Sequence, residues 1–137
     1  MKKIGIAIVA FAAFICLNLK TTAQNRDMSN PFFNEYKTPF QVPPFNDIKL
    51  EHFKPAMQAG MAEQLAEIKA ITDNKESPTF ANTILAFDNS GELLGKTRIF
   101  SNLNSANTND QMQALARELT PLQSAHRDNI MLNMELF

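Results

Sequence analysis

Apolar side chains recur at steps of three and four residues in three long stretches of the chain, a spacing that places them on one face of a helix. In the first stretch they are Phe53, Met57, Met61, Leu65 and Ile68. This stripe predicts a helix over about 50–71. Pro55 lies inside it, and because a proline has no backbone N–H to donate, we expect it in the first helical turn or at a bend.

The second stretch predicts a helix over about 79–103, and its stripe contains a glycine. The stripe residues are Phe80, Ile84, Phe87, Gly91 and Leu94. Ser77 or Thr79 can accept a hydrogen bond from the N–H groups of the first turn. A glycine inside a helix costs ~1 kcal/mol relative to alanine. We expect a continuous helix in which Gly91 and Gly95 share one side and admit a close neighbouring helix; a break into two shorter helices is the alternative.

The third stretch follows a segment rich in Asn and Ser, residues 102–109, which favours a turn at about 106–110 with Asn109 or Asp110 as the next helix cap. Its stripe consists of Met112, Leu115, Leu119, Leu122, His126 and Ile130. Pro121 lies inside this pattern and should kink or split the helix. No comparable length of chain alternates with the period of a strand, so the predicted fold class is all-α, with long antiparallel helices arranged as hairpins.

The first 23 residues have the pattern of a secretory signal peptide. Lys2 and Lys3 precede an almost unbroken apolar stretch over 4–17. Small residues then occupy the −3 and −1 positions of a signal-peptidase site that ends at Ala23, so we expect cleavage after Ala23. A transmembrane anchor is the alternative, but the apolar stretch is shorter than the ~20 residues that a bilayer core requires. Lipidation of Cys16 is less favoured because bulky residues precede it. The pattern therefore predicts an exported chain with no membrane contact after cleavage.

Residues 24–47 form a segment rich in proline and aromatic residues. Its prolines fix backbone angles and remove hydrogen-bond donors, so neither a regular helix nor a central strand is expected. The interleaved aromatic residues are Phe32, Phe33, Tyr36, Phe40 and Phe45. We expect an extended strap whose rings pack on the helical part, residues 48–137. A proline-motif ligand for a partner domain is the alternative.

Length and composition limit the chain to one ordinary globular domain, since 45% of its 137 residues are hydrophobic and 20% are charged. Signal cleavage would remove three of the 13 basic residues and none of the 14 acidic ones, which leaves a net charge of −4. Without a basic run, this charge argues against nucleic acid as a partner. Cys16 would leave with the signal, so neither a disulfide nor thiol chemistry is expected afterwards.

The two histidines, His52 and His126, are the first candidates for chemistry. A catalytic zinc site commonly has three protein ligands, but these histidines lie on different predicted helices and no His-x-x-x-His pair occurs. We interpret His52 as a surface or capping side chain. His126 is interpreted as a packed imidazole that is hydrogen-bonded to a neighbour. No metal-binding residue is therefore predicted.

Nucleophilic and acid–base catalysis have no better support. Ser101, Ser105 and Ser124 lie outside any Gly-x-Ser-x-Gly motif, and no glycine-rich phosphate loop is present. Glu63 and Glu67 are one helical turn apart, and we interpret them as solvated charge. The sequence thus predicts no catalytic and no cofactor-binding residue within the chain.

Several scaffold motifs follow one another along the chain. The most distinctive are Pro78-Thr79-Phe80-Ala81-Asn82-Thr83-Ile84 and Leu103-Asn104-Ser105-Ala106-Asn107-Thr108-Asn109. Residues 47–57, 114–121 and 132–137 continue the likeness. From about residue 30 onward the chain resembles the N-terminal helical region of the thimet-oligopeptidase family of zinc metallopeptidases, and most closely its bacterial peptidyl-dipeptidases.

The resemblance implies an all-helical peptidase with a deep channel for short peptides and with N-terminal helices in one channel wall. It also implies a zinc ion held by a His-Glu-x-x-His motif and a later glutamate, while the glutamate of the motif activates water. The chain contains no such motif. We therefore expect a channel-wall fragment of an exported, periplasmic peptidase, inactive alone, whose partner is the remainder of the peptidase chain. The alternative is a complete small secreted helical protein that binds a peptide or a partner.

Overall fold

The computed structural model describes residues 26–136. The predicted signal peptide, its cleavage after Ala23 and the lipidation of Cys16 lie outside the described residues. This part of the chain is helical and contains no strand, which confirms the all-α class. The helices are α1 (Leu50–Thr72), α2 (Ala86–Asp88), α3 (Glu92–Lys96), α4 (Ile99–Ala106) and α5 (Asp110–Met131). A π-helical turn, Phe80–Leu85, leads into α2, and two 3₁₀ turns, Pro31–Phe33 and Pro39–Gln41, precede α1.

The two long helices follow the sequence prediction. The buried residues on the predicted stripes are Phe53, Met57 and Ile68 in α1 and Leu119, His126 and Ile130 in α5. Asn109 caps α5, because its side chain accepts a hydrogen bond of 2.9 Å from the N–H of Met112. Pro121 lies inside α5, which continues to Met131, so the proline does not split this helix. Across residues 26–136, no helix combines the length and apolar character needed to cross a membrane.

The second predicted helix is not continuous, and this prediction was wrong. It starts as expected at Thr79, whose Oγ1 accepts from the N–H of Asn82 (3.1 Å) while the Asn82 side chain accepts from the N–H of Thr79 (2.7 Å). It is interrupted at Gly91, which has a left-handed φ of 76°. Only a residue without a Cβ adopts this conformation cheaply. A second interruption falls at Thr97, whose hydroxyl donates to the carbonyl of Leu94 (2.7 Å) and competes with the helical pattern.

The close helix contact lies at a different glycine from the predicted pair. A Cβ on Gly95 would have no heavy atom within 4 Å, so Gly95 admits no close neighbour. Gly60 of α1 instead lies against α3: a Cβ there would be 2.7 Å from the N atom of Leu94 and 2.8 Å from its Cα. The missing side chain of Gly60 therefore sets the distance between α1 and α3.

Three phenylalanine rings join the strap to the helices. The ring of Phe32, which is fully buried, lies 5.0 Å from that of Phe53, and Phe53 lies 5.1 Å from Phe100 of α4. Asn30 fixes the strap here, because its side chain accepts from the N–H of Phe32 (3.1 Å) and donates to the carbonyl of His52 (2.9 Å). These contacts build the core around the first half of α1.

The strap does not bury all of its aromatic rings, contrary to the prediction. Phe40 is 98% exposed, and Phe45 is 53% exposed. Phe40 and Gln41 both have a positive φ, 57° and 55°, in the turn between Thr38 and Val42. The strap is thus anchored at Phe32 and turns outward at Phe40.

Candidate functional site

A series of hydrogen-bonded polar groups connects α5 to α1 and to the residues just before the helix break at Gly91. His126 of α5 is 7% exposed, and its Nε2 lies 2.8 Å from Oε1 of Gln64 on α1. The amide nitrogen of Gln64 donates to Oγ of Ser90 (3.2 Å), and that hydroxyl donates to the carbonyl of Phe87 (2.8 Å). Each group in this line donates to the next, which assigns the ring proton of His126 to Nε2.

The carboxylate of Glu67 binds the backbone at the helix break. It accepts a hydrogen bond of 2.7 Å from the backbone N–H of Gly91. Gln64 and Glu67 are three residues apart on α1, so they lie on the same side of the helix. The left-handed turn at Gly91 is therefore fixed to α1 by two side chains.

His126 is the packed, hydrogen-bonded imidazole that the sequence predicts. Its other ring nitrogen, Nδ1, is buried and has no hydrogen-bond partner within residues 26–136. A charged imidazole would lose its hydration here, and burial accordingly lowers the pKa of His126 below the ordinary value of 6.5. The ring is neutral at neutral pH.

Acidification is expected to destabilise the fold through His126. Because its pKa is lower in the folded chain, the unfolded chain binds a proton that the folded chain does not. The free energy of unfolding therefore falls as the pH drops below ~6.5 towards the lowered pKa of the folded state. Urea unfolding at several values between pH 7 and pH 5 measures this slope. His126→Gln should remove the contribution of this residue to the pH dependence of the free energy of unfolding.

His52→Gln is the matched control for this titration. It removes the other histidine and leaves the His126 environment intact, so the contribution of His126 to the fall in stability with acid should remain. An identical pH dependence in the wild type and in His126→Gln would show that His126 contributes nothing.

His52 is a capping side chain, as the sequence predicts. Its Nδ1 accepts from the backbone N–H of Lys49 (3.0 Å) at the start of α1. Gln64, the partner of His126, follows twelve residues later, which corresponds to a backbone rise of about 18 Å along the axis of α1. A zinc–imidazole bond is only ~2 Å long. The two histidines therefore cannot share one metal ion, and the described residues do not fit the zinc site of a peptidase.

Most of the other candidate residues have structural contacts. Glu63 forms an ion pair with Arg26, and Glu67 binds Gly91 as described, so neither is the purely solvated charge that the sequence predicted. The hydroxyl of Ser105 donates to the carbonyl of Ser101 (2.9 Å), and Ser124 is exposed on α5. Within residues 26–136, no three His, Cys, Asp or Glu side chains are grouped so that they could hold a metal ion.

Sequence reasoning placed His126 correctly and missed Gln64 and Ser90. No local signal marks Gln64. For Ser90 the available signal was the capping preference of the Asn89-Ser90-Gly91 segment, which favours a helix end over a helix interior. The hydrogen bonds of His126, Gln64 and Ser90 connect the helices to one another. These groups include no nucleophile–base pair.

Known proteins similar to this chain are peptidases. No family model matches the chain. It is 40% identical to the dipeptidyl carboxypeptidase of Escherichia coli (strain K12) over 109 residues, 79% of this chain. It is 36% identical to the dipeptidyl carboxypeptidase of Salmonella typhimurium over 110 residues, 80% of this chain. These homologues confirm the resemblance to peptidyl-dipeptidases. The matching region covers only 16% of each relative, which is consistent with an N-terminal fragment.

Proposed function

We propose that the chain is the N-terminal helical scaffold of an exported zinc metallopeptidase of the peptidyl-dipeptidase type. The observation that carries the proposal is the 40% identity to a dipeptidyl carboxypeptidase over 109 residues, which are 16% of that protein. The long helices α1 and α5 would form part of a channel wall for short peptides. Export to the periplasm is supported by the charged and apolar pattern of residues 1–23.

The catalytic zinc ion would be held by the remainder of the peptidase chain. The separation of His52 and His126 along the chain supports this assignment. The contribution of this chain to activity would then be support of the channel. It should not hydrolyse peptides by itself.

A chimeric peptidase tests the proposal. The 109 aligned residues of the Escherichia coli dipeptidyl carboxypeptidase are replaced by the corresponding residues of this chain. The chimera should release dipeptides from the C-terminal end of a short peptide and should lose this activity to a metal chelator. The Escherichia coli protein and a version without the 109 residues are the controls. A folded but inactive chimera, or chelator-sensitive hydrolysis by this chain alone, contradicts the proposal.

A second candidate function is a small secreted protein that binds a peptide or partner. The observation in its favour is the exposure of large apolar side chains, such as Phe40 at 98% and Phe80 at 71%. Such a protein would melt sharply as a monomer. The peptidase scaffold should instead self-associate, because the surfaces that face the rest of the peptidase are open.

A further inference from the structure

The segment that precedes the break at Gly91 contributes nothing to the buried core. None of the residues 77–90, here called the arm, is buried. Three of its large apolar side chains face water: Phe80 is 71% exposed, Ile84 56% and Leu85 43%. Burial of such side chains is the main favourable term in folding and association. Their shared exposure therefore marks an uncovered surface.

The π-helical geometry groups these three side chains. In a helix with i→i+5 hydrogen bonds, the residues four and five positions further on both lie beside the first residue. Ile84 and Leu85 have these positions relative to Phe80. They form one patch, here called the arm surface. Tight coupling of the arm's end to α1 through Ser90 and Gly91 keeps the patch in place.

The charge pattern of the arm is that of an interface and not of a water-exposed helix. Residues 77–87 include no charged side chain, while Glu76 and Asp88 border them on either side. Solvent-facing helix surfaces normally carry charge. The centres of protein interfaces are depleted of charged residues and are surrounded by a polar rim.

We infer that the arm surface is a docking site for an apolar face of the remainder of the longer peptidase chain. The inference rests on the proposed function. We choose the remainder of the peptidase as the occupant because the chain matches only 16% of the length of each relative. Most of such a peptidase therefore lies outside this chain. A second copy of this chain and an unrelated partner are the competing occupants, and the experiment separates them.

Thiol labelling compares the arm surface in two settings. Ile84→Cys is introduced into the isolated chain and into the chimera described above, and maleimide modification is followed by mass on the peptide that contains the new thiol. In the isolated chain the thiol should react quickly. In the chimera it should react at least about tenfold more slowly, since a docked side chain reacts only after local opening. Asp88→Cys is the matched control on the rim of the same arm and should react quickly in both proteins.

A double substitution measures how much the arm surface contributes to stability. Phe80→Ser with Ile84→Ser should leave urea unfolding of the isolated chain nearly unchanged, because both side chains are already exposed there. The same double substitution should shorten the heat-inactivation half-life of the chimera at least about tenfold, given the size of the apolar side chains removed from a buried site. Asp88→Ser should have no such effect.

The outcomes distinguish this inference from the proposed function. An active chimera with slow labelling and heat-sensitive serine variants supports both. An active chimera whose arm thiol labels as quickly as in the isolated chain overturns the inference and leaves the proposed function standing. A folded, inactive chimera overturns the proposed function and the inference with it. Protection that rises with concentration in the isolated chain and is absent from the chimera would identify a second copy as the occupant and also overturns the inference.

Discussion

Gly60→Val is expected to abolish or severely weaken the folded state. The first added carbon would lie 2.7 Å from the backbone N atom of Leu94 and 2.8 Å from its Cα, and neither atom can move without shifting α3. Overpacking of a tight contact costs about 1–3 kcal/mol and sometimes more. The whole free energy of unfolding of a small domain is only about 5–15 kcal/mol. Valine adds two further carbons at the same point, so its cost should lie at the upper end.

Alanine substitutions at two glycines provide the matched comparison. Gly60→Ala places one carbon against Leu94, whereas Gly95→Ala places one carbon where no heavy atom lies within 4 Å. Alanine is favoured over glycine inside a helix by about 1 kcal/mol. Urea unfolding should therefore show a loss of stability for Gly60→Ala and a gain for Gly95→Ala. Equal effects of the two substitutions would contradict a close approach of α1 and α3 at Gly60.

Phe53→Ala is expected to destabilise the fold by about 3–5 kcal/mol, the usual cost of removing a buried phenylalanine ring. Its ring is 3% exposed and is packed between Phe32 of the strap and Phe100 of α4. The substitution leaves a cavity at the point where three parts of the chain meet. Urea unfolding should show this loss of stability. The strap should also become more sensitive to protease.

Phe40→Ala is the control for ring removal. Phe40 belongs to the strap and is 98% exposed, so its removal should change the free energy of unfolding by no more than about 0.5 kcal/mol. A loss of stability as large as that of Phe53→Ala would mean that Phe40 is packed in solution. Equal, small losses for both would mean that the Phe32–Phe53–Phe100 cluster does not hold the strap.

The long helices could be predicted from sequence because packing and local pattern agree in them. The stripe from Phe53 to Ile68 and the stripe from Met112 to Ile130 both predict a helix that the structure contains. The cap at Asn109 has a local cause, a side-chain oxygen that binds the N–H of Met112, and was predictable for that reason.

The break in the second helix could not be predicted from the hydrophobic stripe, because Gly91 fits the stripe and has the wrong backbone conformation for it. A non-local bond, the one between Glu67 and the N–H of Gly91, stabilises the break. Gly60 has the spacing of the α1 stripe, seven residues after Phe53, but its close contact with Leu94 depends on tertiary packing that the stripe does not show. The partner of His126 depends in the same way on how α1 and α5 are aligned.

The amide of Gln64 makes two distant parts of the chain energetically dependent on each other. Its oxygen binds α5 at His126, and its nitrogen binds the end of the arm at Ser90, 36 positions earlier in the sequence. A rotation of this one group breaks both hydrogen bonds together. Changes at Ser90 and His126 therefore do not add independently, although these two residues share no direct bond. Disturbance at the end of the arm reaches the interior of α5 through a single side chain.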